Sequence, residues 1–343
     1  MTSTVETPKT QNTAPPPGPA KRVMDLLGNQ QLILFLVLAA MITFFSVRNS
    51  IFFSTGVFGN ILLDWGPVVL IAVGETFVVI SGGIDLSVGS TAGVAGVLAA
   101  FVMRDMTTAH NGQAMTLLVG GVIAAAVGAG VGLINAMLIN FGRIVPFVAT
   151  LATFGAAAGI SNVLTGGAPI GSGPPNTILL VVPKIGPVSY PVLGVAVIVA
   201  IAGLFLHTAR FGRYTYAIGS NPFAARAAGI NVKLHLTKVY ALSGLLAGLA
   251  GMFFYLRLGS GAPTTGKGGE LLAIAAVVIG GAALSGGIGR MSGTVLGALI
   301  LTTVTSGLII IGVNPDWNQV VVAGLIATAA LAQSLRRTNR TSS

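Results

Sequence analysis

The sequence contains no cysteine, which excludes a disulfide framework, a thiolate metal site and a cysteine nucleophile. Histidine is nearly as scarce: His110, His207 and His235 are too dispersed to predict a metal cluster. No paired acid motif stands beside them, so an enzyme embedded in a membrane has no constellation to work with. Charge is the third scarcity. Only 8% of the 343 residues are charged, against about a quarter in soluble globular domains, and so few charges cannot cover a water-facing surface.

Apolar sequence is what the chain has instead, with 53% hydrophobic residues and a mean hydropathy of +0.89. A membrane helix needs roughly 20 mostly apolar residues and satisfies its own backbone hydrogen bonds, which apart from it only a closed barrel can do. Continuous apolar runs, in place of period-two alternation, exclude the barrel. The fold expected is therefore an all-α membrane protein, a polytopic bundle of about ten transmembrane helices. The spans read as 31–50, 57–80, 84–103, 114–139, 144–164, 189–209, 237–257, 271–289, 293–312 and 317–335.

Outside this transmembrane domain, 31–335, two tails are predicted, at 1–30 and 336–343. The first is rich in Thr and Pro, including Pro15, Pro16, Pro17 and Pro19, a composition that predicts disorder. Lys21 and Arg22 before the run Leu32–Val47 superficially suggest a signal peptide, but further spans follow at once without a small-residue cleavage pattern, so a retained first span is expected.

The net charge of +10 would point to nucleic acid in a soluble protein. Here the basic residues sit between apolar runs, which makes them a topology signal and makes membrane lipid, not nucleic acid, the surrounding partner. With ten spans and a cytoplasmic N-terminus, 13 of the 18 fall inside: Lys9, Lys21, Arg22, Arg143, Arg210, Arg213, Arg226, Lys233, Lys238, Arg290, Arg336, Arg337 and Arg340. Arg48, Arg104, Lys184, Arg257 and Lys267 fall outside. That asymmetry predicts both termini in the cytoplasm. Much of the glycine, 48 residues in all, lies inside spans, as at Gly128–Gly132 and Gly244–Gly248, where small residues four apart let helices approach closely.

The longest inside connection, 208–237, holds Ser220-Asn-Pro-Phe-Ala-Ala-Arg-Ala-Ala-Gly229, which reads as a complete short helix. Asn221 caps it, Pro222 suits its first position and Gly229 closes it. Alone in water so short a helix is marginal. Either the membrane surface holds it, or a groove on a cytoplasmic partner receives Phe223 while Arg226 pairs with an acid.

Val78-Val-Ile-Ser-Gly-Gly-Ile-Asp-Leu-Ser-Val-Gly-Ser90, Val145-Pro-Phe-Val-Ala-Thr-Leu-Ala-Thr153 and Gly219-Ser-Asn-Pro-Phe-Ala-Ala-Arg-Ala-Ala-Gly-Ile230, in this order and spacing, resemble the ribose/xylose/galactose permeases of bacterial ABC importers. The similarity runs from about residue 30 to 335. It implies a multi-pass permease of the bacterial inner membrane that pairs with a second copy and docks on a cytoplasmic ATPase. It also implies that a monosaccharide arrives from an extracytoplasmic binding protein. In that family Asn221, Pro222, Phe223, Arg226, Gly229 and Ile230 resemble the coupling helix that touches the ATPase. ATP and magnesium then belong to the partner, and no cofactor is expected in this chain. Gly261-Ala-Pro-Thr-Thr-Gly-Lys-Gly268 imitates a phosphate loop up to Lys267, but Gly268 stands where Ser or Thr would ligate magnesium and no strand is predicted before it.

Acids within apolar sequence are functional candidates because their burial is costly. Asp64 lies about seven residues, roughly 10 Å, from the outer end of its span, and is expected to reach interfacial water. Glu75 lies deeper, to pair with Arg143 or line a cytoplasmic vestibule. Asp85 follows Gly82-Gly83, where the helix breaks, and caps the next helix at Leu86-Ser87 or contacts cargo. A neutral polyol is recognised by paired hydrogen bonds against an apolar lining, which makes Asn135, Thr150, Thr153 and Asn162 candidates for the path; bonding between helices is the competing role. Pro146 and Gly155 are expected to bend the fifth span. Val78–Leu98 and Val277–Leu299 echo each other, each with an apolar run and a Leu-Ser-x-Gly turn, consistent with an internal duplication.

Two further functions remain open on the residues. One is import of nucleosides, branched-chain amino acids or a sugar-like signal; the other, from a different class, is a secondary transporter with an ion site at Glu75 or Asp85.

Overall fold

The computed structural model describes residues 30–331, apart from 172, 176, 183, 315, 316, 318, 326, 329 and 330. The tails and the basic residues they carry lie outside the described residues. Among those described, regular structure is helical apart from two isolated bridges, and eight helices are long and apolar enough to cross a membrane.

These are α1 (Gln30–Arg48), α2 (Thr55–Ile80), α3 (Val88–Thr108), α4 (Gln113–Asn140), α5 (Pro146–Thr165), α7 (Tyr190–Thr208), α10 (Val232–Leu258) and α12 (Met291–Ile310). Between them lie short α6 (Ile178–Val181), α8 (Arg210–Ser220), α9 (Pro222–Ala227) and α11 (Gly269–Ile279). The expected tenth span, 317–335, lies partly outside the described residues; 319–325 are helical.

The centre is built from α2, α3, α10 and α12, whose apolar residues are largely buried. α1, α4, α5 and α7 surround it and present Phe35, Leu118, Val163, Ile201 and other large apolar side chains outward, as a lipid-facing or partner-facing layer requires. The glycine pairs noted in the sequence face each other: a Cβ on Gly128 would collide with the Gly244 carbonyl and lie 2.8 Å from Gly248 Cα. That close approach lets α4 and α10 pack along their lengths. Pro146 occupies the first turn of α5, where its missing amide costs nothing. It starts the helix, and the expected bend there is corrected.

The expected helix 271–289 is also corrected. α11 has 11 residues, about 16 Å, too short for a hydrocarbon core of about 30 Å. Gly281, at φ +93°, stops it, and the stretch before it is too rich in glycine to be helical. From Gly261, bridged to Ile170, residues 261–266 run along α3. There Gly96, Gly93 and Gly89 let backbone come close. The span is thus part consecutive turns and part helix, which is tolerated at depth where protein covers it.

The two echoing segments share a turn. After α2, Ser81, Gly82 and Gly83 donate to Phe77, Val79 and Val78; after α11, Gly280, Gly281 and Ala282 donate to Ala276, Val278 and Val277. Gly82 and Gly281 both have positive φ, +87° and +93°. The first break delays α3 to Val88, four residues after the expected start of its span.

Candidate functional site

Three places in the chain converge: an exposed short helix, a junction of two helix breaks, and a buried polar node.

The exposed helix is α9. Asn221 Oδ1 accepts from the amides of Phe223 and Ala224, both at 3.0 Å, and Pro222 takes the first position. At the other end Gly229, at φ +83°, donates to Arg226 O at 3.0 Å, and Ile230 donates to Ala225 O at 3.1 Å. What holds so short a helix is visible: Ala225 is buried against Ile218 of α8 and Val232 of α10, with Ile230 packed beside them. Phe223, 78% exposed, and the exposed Arg226 face away. The helix therefore stands without a groove for Phe223 and leaves that side chain free for one.

α8 ties this helix to the bundle. Phe211 stacks on Phe205 at 4.8 Å, meets Phe77 of α2 edge-on at 5.7 Å, and lies 4.6 Å from the His235 ring of α10. Thr215 Oγ1 and His235 Nε2 share a 2.9 Å hydrogen bond. Tyr216 donates its hydroxyl to Gly289 O at 2.8 Å; burial pushes this phenol above its ordinary range, with Arg290 partly offsetting the effect, so it remains a donor. The last turn of α8 brings Gly219 against Ile80 O and Gly287 N. Gly287 N in turn donates to Ile80 O at 2.8 Å, so both helix breaks meet at this point.

One residue stretch past Ile80 lies the node. Asp85, fully buried, accepts at Oδ1 from Ser87 N (3.0 Å) and Ser87 Oγ (2.6 Å), and at Oδ2 from Ser243 Oγ of α10 (3.3 Å). Asn135 of α4 donates to Ser87 Oγ at 2.8 Å and to Asp85 Oδ1 at 3.4 Å, while its own carbonyl accepts from Thr153 of α5 at 2.5 Å. Thr150 donates to Ile84 O at 3.3 Å. Glu75 accepts the Asp85 amide at 3.2 Å; among the described residues its second oxygen has no hydrogen-bond partner, and neither has the Tyr240 hydroxyl.

Of the path candidates, Glu75, Asp85, Asn135, Thr150 and Thr153 thus come together on three helices and one break. Asn162 does not: it is exposed and donates to Ala158 O in its own helix. Glu75 does not pair with Arg143, which lies in the exposed turn between α4 and α5 at φ +56° while Glu75 is fully buried. Asp64 keeps a side chain that is 38% exposed and forms an ion pair with Arg257 of α10. Ser87, named in the sequence as part of the expected Asp85 cap, belongs to the node with Ser243 and Tyr240; those two escape sequence reading because hydroxyls in apolar helices are common and only their neighbours distinguish them. Among the described residues no group of His, Cys, Asp and Glu could hold a metal ion, and Lys267 lies exposed in a turn with no strand before it.

The family described as "Branched-chain amino acid transport system / permease component" matches residues 57–330. The chain is 38% identical over 316 residues to the ribose import permease protein RbsC of Escherichia coli K12, covering 91% of this chain and 95% of that protein. It is 38% identical over 304 residues to the ribose import permease protein RbsC of Bacillus subtilis, covering 88% and 92%. It is 34% identical over 315 residues to the galactose/methyl galactoside import permease protein MglC of Salmonella typhimurium, covering 89% and 93%. No solved structure matches the chain.

Proposed function

Since the chain belongs to the branched-chain amino acid transport system permease component family, we propose that it is the membrane-spanning permease subunit of an ATP-binding-cassette importer that carries a monosaccharide. The observation that carries this reading is the similarity to ribose and galactose import permeases along about nine-tenths of both chains. The branched-chain amino acids of the family's description are the second reading. The buried node favours the sugar, because beside Glu75 and Asp85 it offers hydroxyls and an amide but no basic group to meet the carboxylate of an amino acid.

In this account hydrolysis takes place on a separate cytoplasmic ATPase, and this chain needs no cofactor of its own. A second copy completes the path, an extracytoplasmic protein delivers the sugar, and the bacterial inner membrane holds the assembly with both termini inside. α9 is the element the ATPase grips, through Phe223 and Arg226. Its displacement moves α8, because Ala225 and Ile218 share one small core. α8 bears on the junction of Gly219, Ile80 and Gly287, and the chain beyond Ile80 leads directly to Asp85 and Ser87. The two breaks are hinges of a kind that absorb backbone rotation. The node then switches between hydrogen bonds within the bundle and hydrogen bonds to cargo.

Reconstitution with its ATPase and binding protein in vesicles tests the reading. ATP-dependent sugar accumulation that survives collapse of the protonmotive force is expected. Accumulation that needs an ion gradient and ignores ATP would transfer the role of Glu75 and Asp85 to an ion site and make the protein a secondary transporter.

A further inference from the structure

Away from the junction and the node, α1, α7 and α12 enclose a groove of about 690 Å³ that opens on the outer surface of the bundle. Its lining is sorted by height. Gln31, His207 and Ser292 lie at one end, where Gln31 donates to Ser292 Oγ at 2.5 Å and so ties α1 to α12. Val199, Gly203 and Leu296 line the remainder. From His207 to Val199 is eight residues along α7, about 12 Å, so the apolar part is one to two helical turns deep.

Two basic residues flank the polar end along the chain, with no ion-pair partner among the described residues. Arg290 directly precedes Met291 and Ser292 of the lining, and Arg210 follows His207 by three residues. Both are exposed, and neither forms an ion pair among the described residues, where the ion pairs are Arg104–Asp105 and Arg257–Asp64. None of the described acids stands at this end: Glu75 and Asp85 are inside the bundle, Asp64 pairs with Arg257, and Asp105 and Glu270 lie at the far end of α3 and the start of α11. An anion with an apolar tail fits this arrangement, and the groove opens on the outward face of α7, which carries the exposed Val197, Ile201 and Leu204.

We infer that this groove binds an anionic phospholipid of the inner leaflet, with its phosphate between Arg210 and Arg290 and one acyl chain lying along Val199, Gly203 and Leu296. Basic pockets between membrane helices at the cytoplasmic side recognise such headgroups, and the acyl chain adds the apolar burial that a soluble phosphate lacks. The inference rests on the membrane placement of the bundle and is independent of which cargo it carries. It gives α7, which leads into α8, a bound lipid at its inner end.

The test is native mass spectrometry of the full chain in mild detergent, after incubation with phosphatidylglycerol or with phosphatidylethanolamine of the same acyl chains. Preferential retention of phosphatidylglycerol is expected, falling about five-fold for each of Arg210→Gln and Arg290→Gln. Ala200→Phe, at an exposed lining position, fills the deep end and lowers retention of both lipids while both arginines remain. Unchanged elution and melting temperature separate these effects from misfolding. Equal retention of the two lipids in every variant would overturn the inference, and so would stabilisation by inorganic phosphate alone to the level reached with phosphatidylglycerol.

Discussion

Gly287 donates its amide to the carbonyl of Ile80 at 2.8 Å, fastening the turn after α11 to the end of α2. Gly219 occupies the remaining space. A Cβ there would collide with Ile80 O and lie 2.6 Å from Gly287 N, and neither backbone atom can rotate away. Gly219→Ala is therefore expected to destabilise the protein by about 1–3 kcal/mol, the usual cost of overpacking, and to reduce stimulated ATP hydrolysis by the assembled importer. Melting curves in detergent and an ATPase assay read the two effects. Wild-type behaviour in both would show that the junction transmits nothing.

The polar node is expected to behave as a unit. Asn135→Leu leaves Ser87 without its Asn135 donor and Thr153 without its acceptor there, in a site that excludes water, at about 1–3 kcal/mol for unsatisfied buried groups. Thr153→Val alone should cost less. Because Thr153 and Asn135 share a hydrogen bond, the double variant should lose less stability than the sum of the singles, with a coupling of about 0.5–3 kcal/mol. Strict additivity in a double-mutant cycle would break the node into independent groups.

Two glycines on one helix separate packing from composition. Gly128 of α4 faces the backbone of Gly244 and Gly248, whereas a Cβ on Gly130 would meet nothing within 4 Å. Gly128→Leu is expected to abolish monodisperse protein on size exclusion, while Gly130→Leu should purify normally. Equal yields would mean that the α4–α10 seam is not close-packed.

Lys267 should be dispensable for nucleotide use. It is exposed in a turn after α10 with no strand before it, and at the start of the α11 helix that follows the Gly268 amide already donates to the Glu270 carboxylate, so Lys267→Ala is expected to leave the ATP dependence of uptake unchanged. A selective loss of that dependence would restore the phosphate-loop reading.

Long apolar runs made most spans legible in the sequence, and Asn221, Pro222 and Gly229 made α9 legible through its caps. The eighth span was not legible, because hydropathy records depth without conformation. The signal that could have found its end was Gly280-Gly281, which repeats the Gly82-Gly83 break in a similar apolar context. Residue type alone found Asn135, Thr150 and Thr153, but periodicity separates them from Asn162. Thr150 and Thr153 share a face, while Asn162, nine residues beyond Thr153, falls half a turn away. The Asp64–Arg257 pair spans 193 positions, and no local pattern announces such a contact. Glu75 illustrates the same limit, since Arg143 was near in the expected topology while the actual neighbour was the amide of Asp85.

The most direct test of the coupling account is ATP hydrolysis by the assembly purified through a tagged Phe223→Ala/Arg226→Ala variant, beside wild type. The account predicts that the wild-type chain co-purifies with a cytoplasmic ATPase stimulated by the sugar-loaded binding protein. The variant should reach the membrane, melt normally and lose that stimulation. Full stimulation and normal transport in the double variant would contradict it.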